Sequence, residues 1–307
     1  MNATRHEREQ GVWTAIVNPA AGGGRGAARA REALFALREA GLRVAAVETR
    51  RPGHARDLAR EAFHAGARRL LVLGGDGTFG EVSTGLLPAA EGAGVALGLV
   101  PTGTGNSLLR DFGVRGVDDA LRGILAGGRR PLDAVRATHR DGELHFVNLL
   151  AIGFPAKAGA ITNARFKPLG ALGYALAVAV ATASLDHPAF PHALDGAAAR
   201  DARPTTFISF SNSRFTGGAM MMAPDADPGD GALDVVRMGP LGRGELLRAF
   251  PRIFRGEHAR LAAYEHTRAR RVDFALAGPV DAMVDGEVYP LHLESLEVRP
   301  RALEVLA

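Results

Sequence analysis

The chain has 307 residues, 47% of them hydrophobic and 23% charged, which is enough for a large core and for two domains rather than one. It has no cysteine, so disulfides, thiolate zinc sites and a cysteine nucleophile are excluded. The formal net charge is +4, but Lys157 and Lys167 are the only lysines and the arginines are scattered along predicted helices. That dispersal argues against a nucleic-acid surface and leaves a weak attraction for anionic lipid. The first ten residues are polar and contain no apolar stretch, so no signal peptide is expected.

Strand and helix patterns alternate over the first 130 residues. Val12–Asn18 is a short apolar run ending in Asn-Pro, which reads as a buried strand and turn. Ala27–Ala40 has helical spacing and stops before Gly41; Leu42–Glu48 reads as a second strand and Gly53–Ala65 as a second helix. Arg69–Leu73 runs straight into Gly-Gly-Asp-Gly-Thr, with a helix over Phe79–Leu87. Val95–Val100 leads into Pro-Thr-Gly-Thr-Gly-Asn and further helix. Such alternation predicts a parallel sheet with helices on both faces and a ligand at the carboxyl ends of the strands.

After Pro131 short β-patterned runs dominate: Ala134–Thr138, Glu143–Leu150, Thr205–Phe210, Leu233–Arg237, Arg271–Ala275, Val280–Val284 and Leu293–Arg299. Two helical segments interrupt them, 169–185 and Gly244–Phe254. The pattern predicts an antiparallel β-sandwich. The domains are therefore expected at 1–130 and 131–307. The segment Leu169–Leu185 carries no charge over 17 residues. A spanning helix needs about 20 predominantly apolar residues, so this one reads as a buried helix first and a lipid-contacting helix second.

Three glycine-rich turns follow strands in the first half. In Leu73-Gly74-Gly75-Asp76-Gly77-Thr78 the glycines let the backbone approach an anion, and the N–H groups that open the helix can face phosphate oxygens. Asp76 would repel phosphate unless a Mg²⁺ or a proton lies nearby; the alternative is a tight turn in which Asp76 caps the helix. Asn18-Pro-Ala-Ala-Gly-Gly-Gly-Arg-Gly26 holds a displaced G-x-G-x-x-A pattern, a weak dinucleotide signal. The third turn is Pro101-Thr102-Gly103-Thr104-Gly105-Asn106. No Walker A motif occurs, so any ATP handling is not that of a P-loop enzyme. In the second half, Ala223–Asp234 packs aspartates 225, 227, 230 and 234 into one loop, which suits a divalent cation or a solvated acidic loop. Val284-Asp285-Gly286-Glu287-Val288 reads as a hairpin turn that could equally present a general base.

Taken jointly and in order, these pieces resemble the diacylglycerol kinase catalytic-domain family, which includes bacterial soluble lipid kinases and sphingosine kinases. The resemblance rests on Asn18-Pro19 with its glycine loop, Gly74–Thr78 and Gly103–Asn106. It continues through Gly217-Gly218 with Ala223-Pro224, Asp230–Asp234 and Asp285-Gly286-Glu287. It implies a NAD-kinase-like, doubly wound α/β domain followed by the β-sandwich, and transfer of the γ-phosphate of ATP to a lipid hydroxyl between them. It also implies Mg²⁺, a lipid acceptor such as diacylglycerol, and a cytoplasmic protein touching the inner face of the membrane peripherally; exposed edge strands would also admit a homodimer. By the same resemblance Asn18, Thr49, Gly74, Gly75, Gly77, Thr78, Glu81, Gly103, Thr104, Gly105 and Asn106 bind nucleotide. Glu287 takes the hydroxyl proton with Asp285 beside it, and Asp76 organises the phosphates. Asp227, Asp230 and the backbone of Ala232 hold a structural Mg²⁺. Ser107 departs from the aspartate that many relatives carry there. A NAD kinase would share Gly-Gly-Asp-Gly, but the Asn-Glu pair expected downstream is missing. A lipid-binding protein with a decayed site is the remaining alternative.

Overall fold

The computed structural model describes residues 11–103, 105–166 and 169–307, so the expectations for residues 1–10 and for Thr104 lie outside the described residues. The chain divides into two units, one made of 1–132 with 301–307 and the other of 133–300.

The first unit contains β1 (Trp13–Val17), α1 (Gly26–Glu39), β2 (Val44–Glu48), α2 (His54–His64) and β3 (Arg69–Gly74). It continues through α3 (Asp76–Leu86), β4 (Ala96–Pro101), α4 (Ser107–Asp111) and α5 (Val117–Ala126). Its sheet has the order β2-β1-β3-β4, every pair parallel, and residues 304–306 add a fifth parallel strand against β4. β3 and β4 are apolar throughout and buried on both faces, as strands covered by crossover helices must be. On one face Ala15, Val17, Leu71, Leu73 and Val100 pack against Ala30, Leu34 and Leu37 of α1 and Ile124 of α5. α2 and α3 also pack closely, because a Cβ on Gly85 would lie 2.2 Å from the carbonyl oxygen of Arg56. The helix expected from Phe79 starts three residues earlier, at Asp76, because Phe79 N already donates to Gly75 O at 3.0 Å.

β5 (Arg129–His139) carries the chain from the first unit into the second, which continues through β6 (Gly142–Phe146), β7 (Leu149–Gly153), α6 (Phe154–Ile161), α7 (Gly170–Ala183), β8 (His192–Leu194) and β9 (Phe207–Ser211). After a small hairpin, β10 (Phe215–Thr216) with β11 (Met220–Met221), come β12 (Leu233–Met238), α8 (Arg243–Ala249), β13 (Tyr264–Ala269) and β14 (Arg271–Phe274). The chain ends with β15 (Val280–Val284), β16 (Glu287–Leu291) and β17 (Leu293–Leu306). One antiparallel sheet has the order β13-β12-β9-β7-β15-β16. Opposite it, β5, β6, β8 and β14 assemble around the first part of β17. Alternation along the strands feeds two cores. Leu150, Ile152 and Val235 point between the sheets, whereas Leu149, Ala151 and Val236 point to the other face, where α6, α7 and α8 pack.

Three features differ from the sequence expectations. The run Glu143–Leu150 breaks into β6 and β7 because the amides of Val147, Asn148 and Leu149 are captured by the Asp285 carboxylate. A third helix, α6, follows β7 where Gly153 turns the chain at φ 85. The last residues return to the parallel sheet of the first unit.

Candidate active site

In the first unit the three glycine-rich turns meet at the carboxyl ends of β1, β3 and β4. Thr102 N and Gly103 N both donate to Gly74 O, at 2.9 and 3.0 Å, and Asp76 N donates to Gly105 O at 3.0 Å. The backbones are so close that a Cβ on Gly103 would lie 2.7 Å from Gly75 Cα, and one on Gly75 2.8 Å from Gly105 O. These positions need glycine for proximity rather than for an unusual dihedral. The loop after β1 joins them at two points. Asn18 Nδ2 donates to Thr78 Oγ1 at 2.9 Å, and a Cβ on Gly22, whose φ is +61, would meet Thr102 O at 2.7 Å. Gly74 in turn makes room for the Thr78 side chain, 2.4 Å from where its Cβ would stand.

Asp76 ties α3 to α4: its Oδ1 accepts from Ser107 N at 2.7 Å. Burial pushes its carboxyl above the ordinary 3.8, opposed by hydrogen bonds from Ser107 and Leu108 and by the charge of Arg110. Asn106 Nδ2 donates to Gly103 O at 3.2 Å, while its Oδ1 is buried with no hydrogen-bond partner among the described residues. Gly77 is exposed at the start of α3. Two further candidates have local duties. Glu81 accepts from Gly53 N and Ala55 N, at 2.9 and 3.1 Å, and so caps α2 from α3. Thr49 N donates to Val17 O at 2.8 Å, extending the β1–β2 ladder.

In the second unit Asp285-Gly286 closes the β15–β16 hairpin, with Val284 paired to Glu287. Both turn residues have positive φ, 46 and 96, the signature of a two-residue type I′ loop. The Asp285 carboxylate accepts from Val147 N, Asn148 N and Leu149 N at 3.0–3.1 Å. It is thus an anchor that fixes the turn. Glu287, the first residue of β16, is exposed and accepts from Asn163 Nδ2 at 3.3 Å. Turn and contact together hold a carboxylate on a rigid strand end at the protein surface.

In the aspartate-rich loop the carboxylates are committed internally. Asp227 Oδ1 accepts from Gly229 N and Asp230 Oδ1 from Ala232 N, both at 3.0 Å, and Asp230 Oδ2 pairs with Arg268. Among the described residues no three His, Asp or Glu side chains gather in a way that could hold a metal ion. As folded, Asp230 would have to release Arg268 before its Oδ2 could face a cation. Sequence reasoning overlooked the residue that organises this loop. Asp133 is fully buried; its Oδ2 accepts from Gly231 N and its amide donates to Pro228 O, both at 2.6 Å. A lone aspartate inside the apolar strand Leu132–Val135 was the available signal.

The second unit also contains an apolar cavity between its outer sheet face and the helices. Phe207 and Met238 line it from the sheet, Phe154, Val178 and Leu246 from α6, α7 and α8, and Met220 from the β10–β11 hairpin. Among the described residues of that lining, Tyr174 and His258 bring the only polar side chains. Burial pushes the Tyr174 hydroxyl up to about 12 and pushes the His258 imidazole below its ordinary 6.5, so both are neutral at pH 7.

Comparison with known proteins places this architecture. Residues 12–137 match the model of the diacylglycerol kinase catalytic domain, and residues 148–307 match that of the YegS C-terminal NAD kinase beta sandwich-like domain. The chain is similar to a protein of Mycobacterium tuberculosis named diacylglycerol kinase, with 32% identity over 98% of this chain and 96% of the relative. It is also similar to the "Probable lipid kinase YegS" of Salmonella gallinarum, with 30% identity over 67% of this chain and 68% of that one. A crystal structure of a diacylglycerol kinase from Bacillus anthracis shares the fold, with a TM-score of 0.72, 19% identity and coverage of 97% of this chain and 96% of that one. Both halves are matched by family models, and a relative aligns nearly end to end; the chain belongs to the diacylglycerol kinase catalytic-domain family and is a lipid kinase of that family.

Proposed function

We propose that the protein transfers the γ-phosphate of ATP to the hydroxyl of a diacylglycerol-like lipid. The observation that carries this reading is the junction of three glycine-rich turns at the carboxyl ends of β1, β3 and β4, locked by Asp76, Gly74 and Gly105. A preorganised backbone edge beside a helix N-terminus suits phosphate, and the amides of Gly77 and Thr78 open that helix. Asn18, Thr78 and Asn106 add polar side chains at the same edge. Thr104, in the third turn, is proposed as part of that contact set from the sequence resemblance alone. Thr49 and Glu81 would act on the nucleotide indirectly, by holding β2 and α2.

The lipid acceptor is proposed for the second unit, with acyl carbons entering the apolar cavity lined by Phe154, Phe207 and Leu246. Glu287 is the proposed general base. It takes the hydroxyl proton as the lipid oxygen forms its bond to the γ-phosphorus and the bond to the β–γ bridging oxygen breaks, releasing ADP. Asp285 is a positioning residue, holding the turn that carries Glu287. ATP arrives as its magnesium complex, so the metal neutralising its phosphates belongs to the substrate.

The test is Glu287→Gln assayed with ATP, Mg²⁺ and diacylglycerol in mixed micelles. The side chain is exposed and the substitution isosteric, so the thermal transition should stay unchanged. The turnover number should fall about 100- to 10,000-fold, the usual worth of a general base. A variant with near-normal turnover would remove Glu287 from the reaction.

A further inference from the structure

α7 is apolar all round, yet only one of its faces is covered. Gly173, Ala177, Val178 and Ala181 face the core, whereas Leu172, Leu176 and Val180 recur at helical spacing on the outside. Together with Leu169, just before the helix, these side chains are between 42% and 64% exposed. α8 and the 3-10 turn that follows it (Phe250–Arg255) pack beside α7, with the Tyr174 ring 6.2 Å from Phe250 and Phe250 in turn 5.9 Å from Phe254. From that neighbour Leu247 and Phe254 are also nearly half exposed. A contiguous outward apolar face of this kind marks an interaction surface rather than a solvated helix.

The charges beside it identify the partner. Arg243, Arg248, Arg252 and Arg255 are exposed on α8 and the 3-10 turn, and none forms a salt bridge among the described residues. Of the two acids within residues 243–257, Glu245 is used to cap α8 through Gly242 N, and Glu257 is half-buried; Asp186, past the end of α7, pairs with Lys157. Apolar side chains bordered by arginines that have no acidic partner among the described residues complement an anionic bilayer surface, with the hydrocarbon groups below the headgroups and the guanidinium groups among the phosphates. A second copy of the same face would bring arginines against arginines. Spanning is excluded for this helix: its 14 residues extend about 21 Å, short of the roughly 30 Å hydrocarbon core.

We propose that the outer face of α7, with Leu247, Phe254 and the arginines of α8 and its following turn, docks the protein on anionic membranes. The inner faces of the same helices line the apolar cavity through Tyr174, Val178, Leu246 and Phe250. The docking face would thus bring the helices that line the proposed acyl site onto the surface that holds the lipid. This deepens the lipid-kinase reading, but its test contains neither ATP nor diacylglycerol, so either can fail alone.

The full-length protein is sedimented with sucrose-loaded vesicles of phosphatidylcholine, or of equimolar phosphatidylcholine and phosphatidylglycerol. Binding should be strong only to the mixed vesicles and weaken with added salt. Leu172→Glu with Leu176→Glu should lower partitioning at least about tenfold, since two buried leucines are lost to the bilayer. Arg248→Ala, Arg252→Ala and Arg255→Ala together should lower it about fivefold per arginine on the mixed vesicles. All substituted positions are exposed, and unchanged thermal transitions establish that the variants fold. Equal binding of variants and parent would overturn the proposal, as would binding to neither vesicle. A parent that elutes as a dimer, becomes monomeric with Leu176→Glu and ignores vesicles would assign the face to a second copy instead.

Discussion

Asp76 carries two opposing demands. It sits at the first position of α3, where a negative charge is favoured by the helix dipole, and its Oδ1 fastens the start of α4 through Ser107 N. Burial nevertheless disfavours the ionised form, and the folded carboxyl titrates above its ordinary 3.8. A raised pKa means that the folded state holds the proton more tightly than the unfolded state. The group therefore contributes no penalty below 3.8, and stability is lost as pH rises from there through the folded pKa. Asp76→Asn keeps an oxygen for Ser107 N and does not titrate. Chemical denaturation of both proteins from acid to neutral pH should show the variant gaining relative to the parent as pH rises. Parallel curves would mean that Asp76 is not held against its charge. Asp285, by comparison, receives three backbone amides on its carboxylate oxygens.

At the scale of elements, the junction of the turns depends on the absence of side chains. Gly103→Ala places a methyl group 2.7 Å from Gly75 Cα, in backbone that has no room to yield. The substitution should destabilise the protein by about 1–3 kcal/mol, the usual range for overpacking. It should also weaken ATP binding by calorimetry more than Gly92→Ala would weaken it. Gly92 is a useful control because it has positive φ but nothing within 4 Å of its Cβ position, so it carries strain without crowding. Equal ATP affinity in the two variants would detach the junction from nucleotide binding. The existence of the turns was legible in the sequence because glycine clusters after apolar runs have few other uses. That they bind to one another was not, since Gly74 and Gly103 are distant in the chain and nothing local marks either as a backbone neighbour of the other. The aspartate-rich loop shows the converse limit. Its composition suited a cation, but Asp133 and Arg268 come from distant strands, and only the fold reveals that they hold the loop.

For the whole molecule, the passage from parallel to antiparallel architecture could be read from the change in period and run length. The return of residues 301–307 to the first unit could not, because 304–306 look like any short apolar strand and pairing partners are not encoded locally. α6 escaped notice for a similar reason: Phe154–Ile161 is short, and its packing against the sheet stabilises it more than any pattern of its own. The family was legible all the same, because the motifs that resemble it lie in order along both halves of the chain, the same halves that its family models match. The most direct test of the proposed reaction is product analysis by mass spectrometry after incubating the full chain with ATP, Mg²⁺, diacylglycerol and NAD together. The account predicts phosphatidic acid formed in step with ADP, and no NADP. ADP without a phosphorylated lipid, or NADP in its place, would contradict it.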